Sequence, residues 1–436
     1  MKFCYLLCLN SLLTIHINAQ KSVSDFSTKI DRYVKCYTRN NDFSGVVLIA
    51  KKDTILFEKA YGYSDIEKRI PNSTNTLFRI SSVTKTFTAA LVSKLKDQGL
   101  LKYEDNVSKY IPNYPNGNKI TLEQLLNHRS GIPDYSDLPD YKTKMNKKLR
   151  LDELVDIFKN EPLAFEPGTS SLYSSSNYSL LAFIVEKIKG IPFEDILKKE
   201  ILDAADLRST GIDNFGNDII TSHAKGYAIR GNHTTSLVPP YHIENLIGSG
   251  FLYSNAEDMF NWVRAVIGSK IYDVHKDPIY GWGFRKYFNK AAIEQSGRTD
   301  GFISYISYFL NDGLIVIFLG NIESYAVNKL GKDLAAIYFN EAYTIPEYRK
   351  EIKLNTKTAT QWTGSFSDST TVFTVSLKDQ HLWFSYNNSK TLHELIPLSK
   401  RKLFLRLYGV TLSLINENEV EWSDNNGSHI YSKITR

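Results

Sequence analysis

The stretch Arg79-Ile80-Ser81-Ser82-Val83-Thr84-Lys85-Thr86-Phe87-Thr88 decides how the chain is read. Ser82 and Lys85 stand three apart, and Val83, Phe87, Leu91 and Leu95 recur at every fourth position, which is the apolar stripe of an amphipathic helix. Gly99 supplies a stop just past the last turn. Ser82 therefore falls in the first turn with Lys85 beside it, because positions three apart are neighbours on a helix. The helix N-terminus also aims unpaired backbone N–H groups at whatever Ser82 attacks. A serine hydroxyl is a weak nucleophile, and a desolvated amine beside it can take its proton. Ser-x-x-Lys is thus the smallest unit of a Ser–Lys acyl-transfer site. The spacing is not diagnostic by itself. Ser93-Lys94-Leu95-Lys96 and Ser399-Lys400-Arg401-Lys402 share it and read as solvated surface.

Outward from this helix, Phe43–Ala50 and Thr54–Tyr61 are β-rich runs joined by Lys51-Lys52-Asp53, a hairpin signal, with an amphipathic helix over 22–39 before them. On the other side the pattern turns mostly helical, an inserted lobe of about 100–240. Its helices are Thr121–His128, Leu151–Phe158, a run after Tyr173–Tyr178 that reaches about Lys189, and one opened by Pro192 at its first turn. Gly248–Ser254 is a Gly-rich turn, and Ala256–Val266 is a helix. Three β-rich runs, 282–288, 302–310 and 313–320, precede a helix of about 325–341. Together these predict an α/β (α+β) domain, an antiparallel sheet flanked by helices with an all-helical insertion. A linker around Pro346, residues 346–356, leads to 357–436, where short alternating runs occur at 371–377, 380–386, 402–408, 410–415 and 417–422. With Asn426-Gly427 as a turn before a last strand, they predict a small sandwich or lipocalin-like barrel, a capping or binding module without a catalytic constellation.

Composition narrows the class. A chain of 436 residues, 42% hydrophobic and 23% charged, reads as an ordinary globular protein of two or three domains. The net charge of +6 is spread along the chain, and no basic stripe interleaved with aromatics suggests nucleic acid. Residues 1–19 read as a secretory signal, with Lys2, the apolar run Phe3–Ile15 and Ile17-Asn18-Ala19 before Gln20. Asn10 and Ser11 interrupt that run, which is too weak to span a membrane. Export to a periplasm or the outside is expected. Cys4 and Cys8 leave with the signal and Cys36 remains alone, so no internal disulfide is expected. The histidines are scattered with no His-Glu-x-x-His spacing, so neither metal nor cofactor is expected.

Five segments then follow one another in a telling order: Phe78–Thr88, Ile120–Pro133 with Leu-Leu-Asn-His-Arg-Ser-Gly, Phe165–Leu181 with Pro-Gly, Tyr-Ser and Tyr-Ser-Leu-Leu, Gly248–Asp258, and Gln295–Phe302. In this order the chain resembles the serine β-lactamase and penicillin-recognising hydrolase superfamily, in its branch of class C-like β-lactamases, D-Ala-D-Ala carboxypeptidases and esterases (peptidase S12-like). The likeness covers roughly residues 24–342. It implies Ser82 as the acylated nucleophile, Lys85 as the group that takes or holds its proton, and Tyr173 as a partner in general-base work, since an ammonium nearby favours a phenolate. It also implies an oxyanion hole from the backbone N–H groups of Ser82 and Arg298, with substrate contacts at Ser175, Gln295, Ser296 and Gly297. Two positions depart from the family pattern. Ser175 stands where Asn is usual, and Gln295-Ser296-Gly297 replaces a triplet led by Lys or His. Both remove polar reach or charge and suit an esterase or amidase with a less anionic substrate. His128 reads as a helix-end histidine satisfied by neighbouring backbone, and Asp134 and Tyr135 line the same loop and are expected to border the cleft, without an assigned role. The implied function is an exported serine hydrolase acting on an ester, amide or peptide-like acyl donor, with cell-wall fragments among the candidates. The second reading is a catalytically weak, penicillin-binding-like sensor or binding protein.

Overall fold

The computed structural model describes residues 25–212, 222–231, 234–237, 242–268, 271, 279–299, 301–324, 326–387, 389, 391–424 and 427–434. The expected signal with Cys4 and Cys8, the first three residues of the 22–39 helix, and Asn426 of the last turn lie outside them. The chain forms two compact units. One is Gly45–Lys225 with Val238–Asn321; the other gathers the described residues before Gly45, Gly226–Leu237 and those from Ile322 onward.

The first unit is built on a six-stranded antiparallel sheet. Its strands are β1 (Gly45–Lys51), β2 (Thr54–Tyr61), β3 (Gly283–Tyr287), β4 (Lys290–Thr299), β5 (Phe302–Phe309) and β6 (Leu314–Gly320), in the order β3-β4-β5-β6-β1-β2. The early hairpin thus joins the late strands through β1 and β6, in register from Gly45↔Gly320 to Lys51↔Leu314. Every residue of β5 and β6 is buried, as is all of β1 but Lys51, so these middle strands read as near-continuous apolar runs. Three late β-rich runs were expected and four strands are present. The additional one is β4, whose apolar residues are confined to Ala291–Ile293, so that alternation does not reveal it. Pairing to β5, from Ala292↔Phe309 to Thr299↔Phe302, holds it in the sheet. Strand β3 pairs with β4 only from Lys290 to Glu294, so residues 295–299 have, among the described residues, a strand on one side alone.

The helices follow the expected boundaries closely: α1 (Thr84–Asp97), α2 (Leu122–Leu126), α3 (Leu151–Phe158), α4 (Ser175–Lys189) and α5 (Ala256–Ile267). Thr121 caps α2 in a capping box with Gln124, and the Asn255 side chain caps α5 by accepting from the Asp258 N–H at 2.8 Å. Val83, Phe87, Leu91 and Leu95 are fully buried. Phe87 stacks on Trp262 of α5 at 4.0 Å between centroids, and the indole N–H donates to Thr86 Oγ1 at 2.9 Å. Ser93 corrects the expectation of a solvated surface. It is buried, and its hydroxyl lies 2.8 Å from that of Tyr103. Pro192 is the residue before the helix Phe193–Leu197 rather than its first-turn residue.

In the second unit the choice between sandwich and barrel resolves to a closed barrel. Eight strands run from Gly364–Ser367 to Gly427–Lys433, each beside its sequence neighbour, and the last pairs with the first at Phe366↔Lys433. Two of them, Gly364–Ser367 and His393–Ser399, fall where no strand was expected, and a helix, Thr356–Gln361, precedes the barrel. Trp362, Phe366, Phe373, Phe384, Leu403 and Leu412 fill one buried cluster, so side chains occupy the interior. Asp42, fully buried, accepts from Arg406 Nε at 2.9 Å and from an Arg349 terminal nitrogen at 2.5 Å. Arg406 also donates to the carbonyls of Gly231 and Asn41, and the Arg349 guanidinium lies 4.3 Å over the Phe404 ring.

Candidate active site

The turn that carries Ser82 is held from several directions. Ile80 donates its N–H to the Leu252 carbonyl at 2.9 Å, and the Ile80 carbonyl accepts from Ser304 Oγ at 2.6 Å. The chain then makes one 3-10 turn, Ser81–Val83, before α1 begins. Ser81 sits at a φ of 49°, fully buried, and its hydroxyl has no hydrogen-bond partner among the described residues. A left-handed backbone costs an L-residue about 1–2 kcal/mol, and glycine avoids that cost. Ser81→Gly should therefore raise stability by about 1 kcal/mol in urea denaturation; an unchanged midpoint would place the cost elsewhere. Gly297 on β4 faces this turn. A Cβ there would fall 2.5 Å from Ser304 Oγ and 2.9 Å from Ser81 Cβ, as well as against the Ile80 carbonyl, so only glycine lets β4 come this close.

The amine and the phenol converge on Ser82 Oγ. Lys85 is 1% exposed, and its ammonium donates to the Ser249 carbonyl at 2.9 Å, to Ser82 Oγ at 3.2 Å and to Ser175 Oγ at 3.5 Å. These three acceptors match its three protons. Among the described residues no carboxylate forms an ion pair with it, and the rings of Tyr173 and Tyr178 lie 4.9 and 5.7 Å from Nζ. The Tyr173 hydroxyl donates to Ser82 Oγ at 2.8 Å. Gln295 Nε2 donates to the Ser82 carbonyl at 3.2 Å. Ser82, Lys85, Tyr173, Ser175 and Gln295 are thus brought together, with Gly297 beside them. Strand alternation places Ser296 and Arg298 on the other face of β4, where Arg298 is exposed.

Four residues without an assigned role in the sequence shape this cluster. Asp134 Oδ2 accepts from the Ser175 N–H at 2.7 Å, at the first turn of α4, where a carboxylate suits the positive end of the helix. The Tyr135 hydroxyl lies 3.0 Å from that of Ser249, the residue whose carbonyl receives Lys85. Gly248, at a φ of 75°, makes the turn into Ser249, and a Cβ there would lie 2.7 Å from the Tyr178 carbonyl. His128 Nδ1 accepts from the Ser174 N–H at 3.1 Å, which agrees with a histidine satisfied by backbone, although the donor is 46 positions away. Burial first, and then the charge of Lys85, push the His128 imidazole down to about 4, so it is neutral at pH 7. Backbone partners leave no mark on residue type, so the Leu-Leu-Asn-His and Gly248–Asp258 segments and the loop at Asp134 and Tyr135 pointed to these positions without giving them a role.

A six-stranded antiparallel sheet, a helical insertion, and a Ser-x-x-Lys turn met by a tyrosine from the insertion define the β-lactamase/transpeptidase-like class of folds. The beta-lactamase family model matches residues 30–337, and the chain belongs to that family. It is 27% identical over 410 residues to penicillin-binding protein 4* of Bacillus subtilis (strain 168), covering 85% of this chain and 89% of that protein. The octameric penicillin-binding protein homologue from Pyrococcus abyssi shares the fold with a TM-score of 0.65 and 20% identity, over 93% of this chain and 99% of that one. The D-amino acid amidase from Ochrobactrum anthropi SV3, solved with L-phenylalanine, gives a TM-score of 0.63 at 20% identity, over 73% and 99%.

Proposed function

We propose that this protein is an exported serine hydrolase that attacks an ester, amide or peptide-like acyl donor through a Ser82 acyl-enzyme. The observation that carries this reading is that one oxygen, Ser82 Oγ, lies within hydrogen-bond reach of both an amine and a phenol. Ser82 Oγ attacks the acyl carbon, and its proton passes by way of the Lys85 and Tyr173 pair to the leaving group. Water then releases the acyl group with the same bases in reverse. The backbone N–H groups of Ser82 and Arg298 receive the oxyanion. Residues 295–299, bordered among the described residues by a strand on one side, suit an extended, peptide-like substrate, since an open strand side can pair with a chain. Lys85 has its protons occupied and Gln295 is neutral, which favours substrates without a carboxylate at that end; an amidase among the structural relatives is in keeping with this. Residues 1–19 serve as the export signal, with a hydrolase domain over 20–345, a linker over 346–356 and a barrel module beyond.

A fluorophosphonate probe or a fluorescent penicillin should label the wild type stoichiometrically and leave Ser82→Ala unlabelled; equal labelling of both would end the proposal. The 3.5 Å separation of Lys85 from Ser175 and the capped Gln295 amide favour a second reading, a protein that is acylated or binds without turnover. Repeated turnover of p-nitrophenyl esters that disappears in Ser82→Ala excludes it.

A further inference from the structure

We infer that His128 is a positioning residue that aims the Tyr173 hydroxyl at Ser82 by gripping three consecutive residues at once. It has this part only if Ser82 and Tyr173 have the roles proposed above. The His128 carbonyl accepts from the Leu172 N–H at 3.0 Å. Its imidazole stacks on the Tyr173 ring at 4.6 Å between centroids, 29° from parallel. Its Nδ1 accepts from the Ser174 N–H at 3.1 Å. Main chain, ring face and ring nitrogen thus hold positions 172, 173 and 174 in turn.

Tyr173 needs such a grip. The residue is 49% exposed, so it lacks the all-round packing that fixes a buried ring, and a catalytic hydroxyl displaced by about 1 Å can lose about a hundredfold in rate. His128 itself is well anchored. It follows α2 at a φ of 56°, and its other ring contact is Tyr178, 5.3 Å away and fully buried. The grip requires an unprotonated Nδ1, because a protonated one would meet the Ser174 N–H donor to donor. Burial and the nearby Lys85 charge oppose protonation, while Asp134 favours it, and the balance lies at about 4.

Two variants separate the contacts. His128→Asn keeps a short acceptor and tolerates the left-handed backbone but lacks the ring; His128→Phe keeps the ring but lacks the acceptor. With a p-nitrophenyl ester, each should lower kcat by about tenfold to a hundredfold with KM little changed, given the cost of misplacing a catalytic group. In a Tyr173→Phe background the same changes should cost less than about twofold, because the hydroxyl they aim is gone. Equal losses in both backgrounds, or none in the wild type, overturn the inference. A Tyr173→Phe enzyme as fast as the wild type would instead overturn the role given to Tyr173, while loss of labelling in Ser82→Ala tests Ser82 independently. If neither His128 variant folds, the wild-type pH profile decides: kcat should fall as pH drops through about 4, where the imidazole gains its proton, and a flat profile there overturns the inference.

Discussion

Tyr173→Phe should lower kcat/KM toward an ester or amide by about a hundredfold to ten-thousandfold, the usual span of general acid–base catalysis. The melting temperature should move by no more than about 2 °C, because a half-exposed hydroxyl contributes on the order of 1 kcal/mol or less. The structure separates the two readouts. The hydroxyl makes its hydrogen bond to Ser82 Oγ at 2.8 Å, while the ring keeps its stack on His128 and its place over Lys85 without the oxygen. Phenylalanine therefore removes the hydroxyl proposed to carry a proton and leaves the scaffold intact. Steady-state kinetics joined to rapid-mixing measurement of acylation would locate the loss. A drop of less than about tenfold would assign the proton transfer to Lys85 alone.

Asp42→Ala should destabilise the barrel-containing unit by about 3–5 kcal/mol, the range for removing one partner of a buried ion pair. Asp42 is fully buried, and the Arg349 and Arg406 side chains that meet it are 7% and 1% exposed. Without the carboxylate, two guanidiniums would remain out of water beside partners that carry no charge, among them the Asn40, Asn41 and Gly231 carbonyls and the Phe404 ring. Urea unfolding followed by tryptophan fluorescence is the suitable measurement, since Trp362, Trp383 and Trp422 all belong to this unit. Asp42→Asn should lose less, because its amide oxygen can still accept from one arginine. A loss below about 1 kcal/mol for the alanine variant would mean that the carbonyls alone suffice.

Much of the fold was legible because its signals are local. Leu151–Phe158 has the helical period at both ends and was bounded to the residue. Val83, Phe87, Leu91 and Leu95 announced α1 by spacing alone, and all four are core. Strand β4 was legible only through the resemblance, which puts a strand motif at Gln295–Phe302; Glu294-Gln295-Ser296-Gly297-Arg298-Thr299 carries neither alternation nor a β-rich composition and is held by its neighbour β5. The barrel strand His393–Ser399 contains Pro397 and was missed for a similar reason. Ser93 was misjudged because Ser-x-x-Lys says nothing about which side of a helix faces the core. At the site, Ser82, Lys85 and Tyr173 were legible as side chains in an ordered series of motifs. The Ser249 carbonyl, the Asp134 cap and the grip of His128 were not, since each depends on main-chain atoms that any residue could supply.

The closure of the barrel limits what that module can recognise. With its first and last strands zipped together, its described strands present no free ladder for a foreign peptide to extend, and the aromatic rings packed through its middle take up space that an apolar cargo would need. Any recognition it performs falls to its connecting loops and outward-pointing side chains, so exchanging those loops would change its targets without altering the strand framework beneath them.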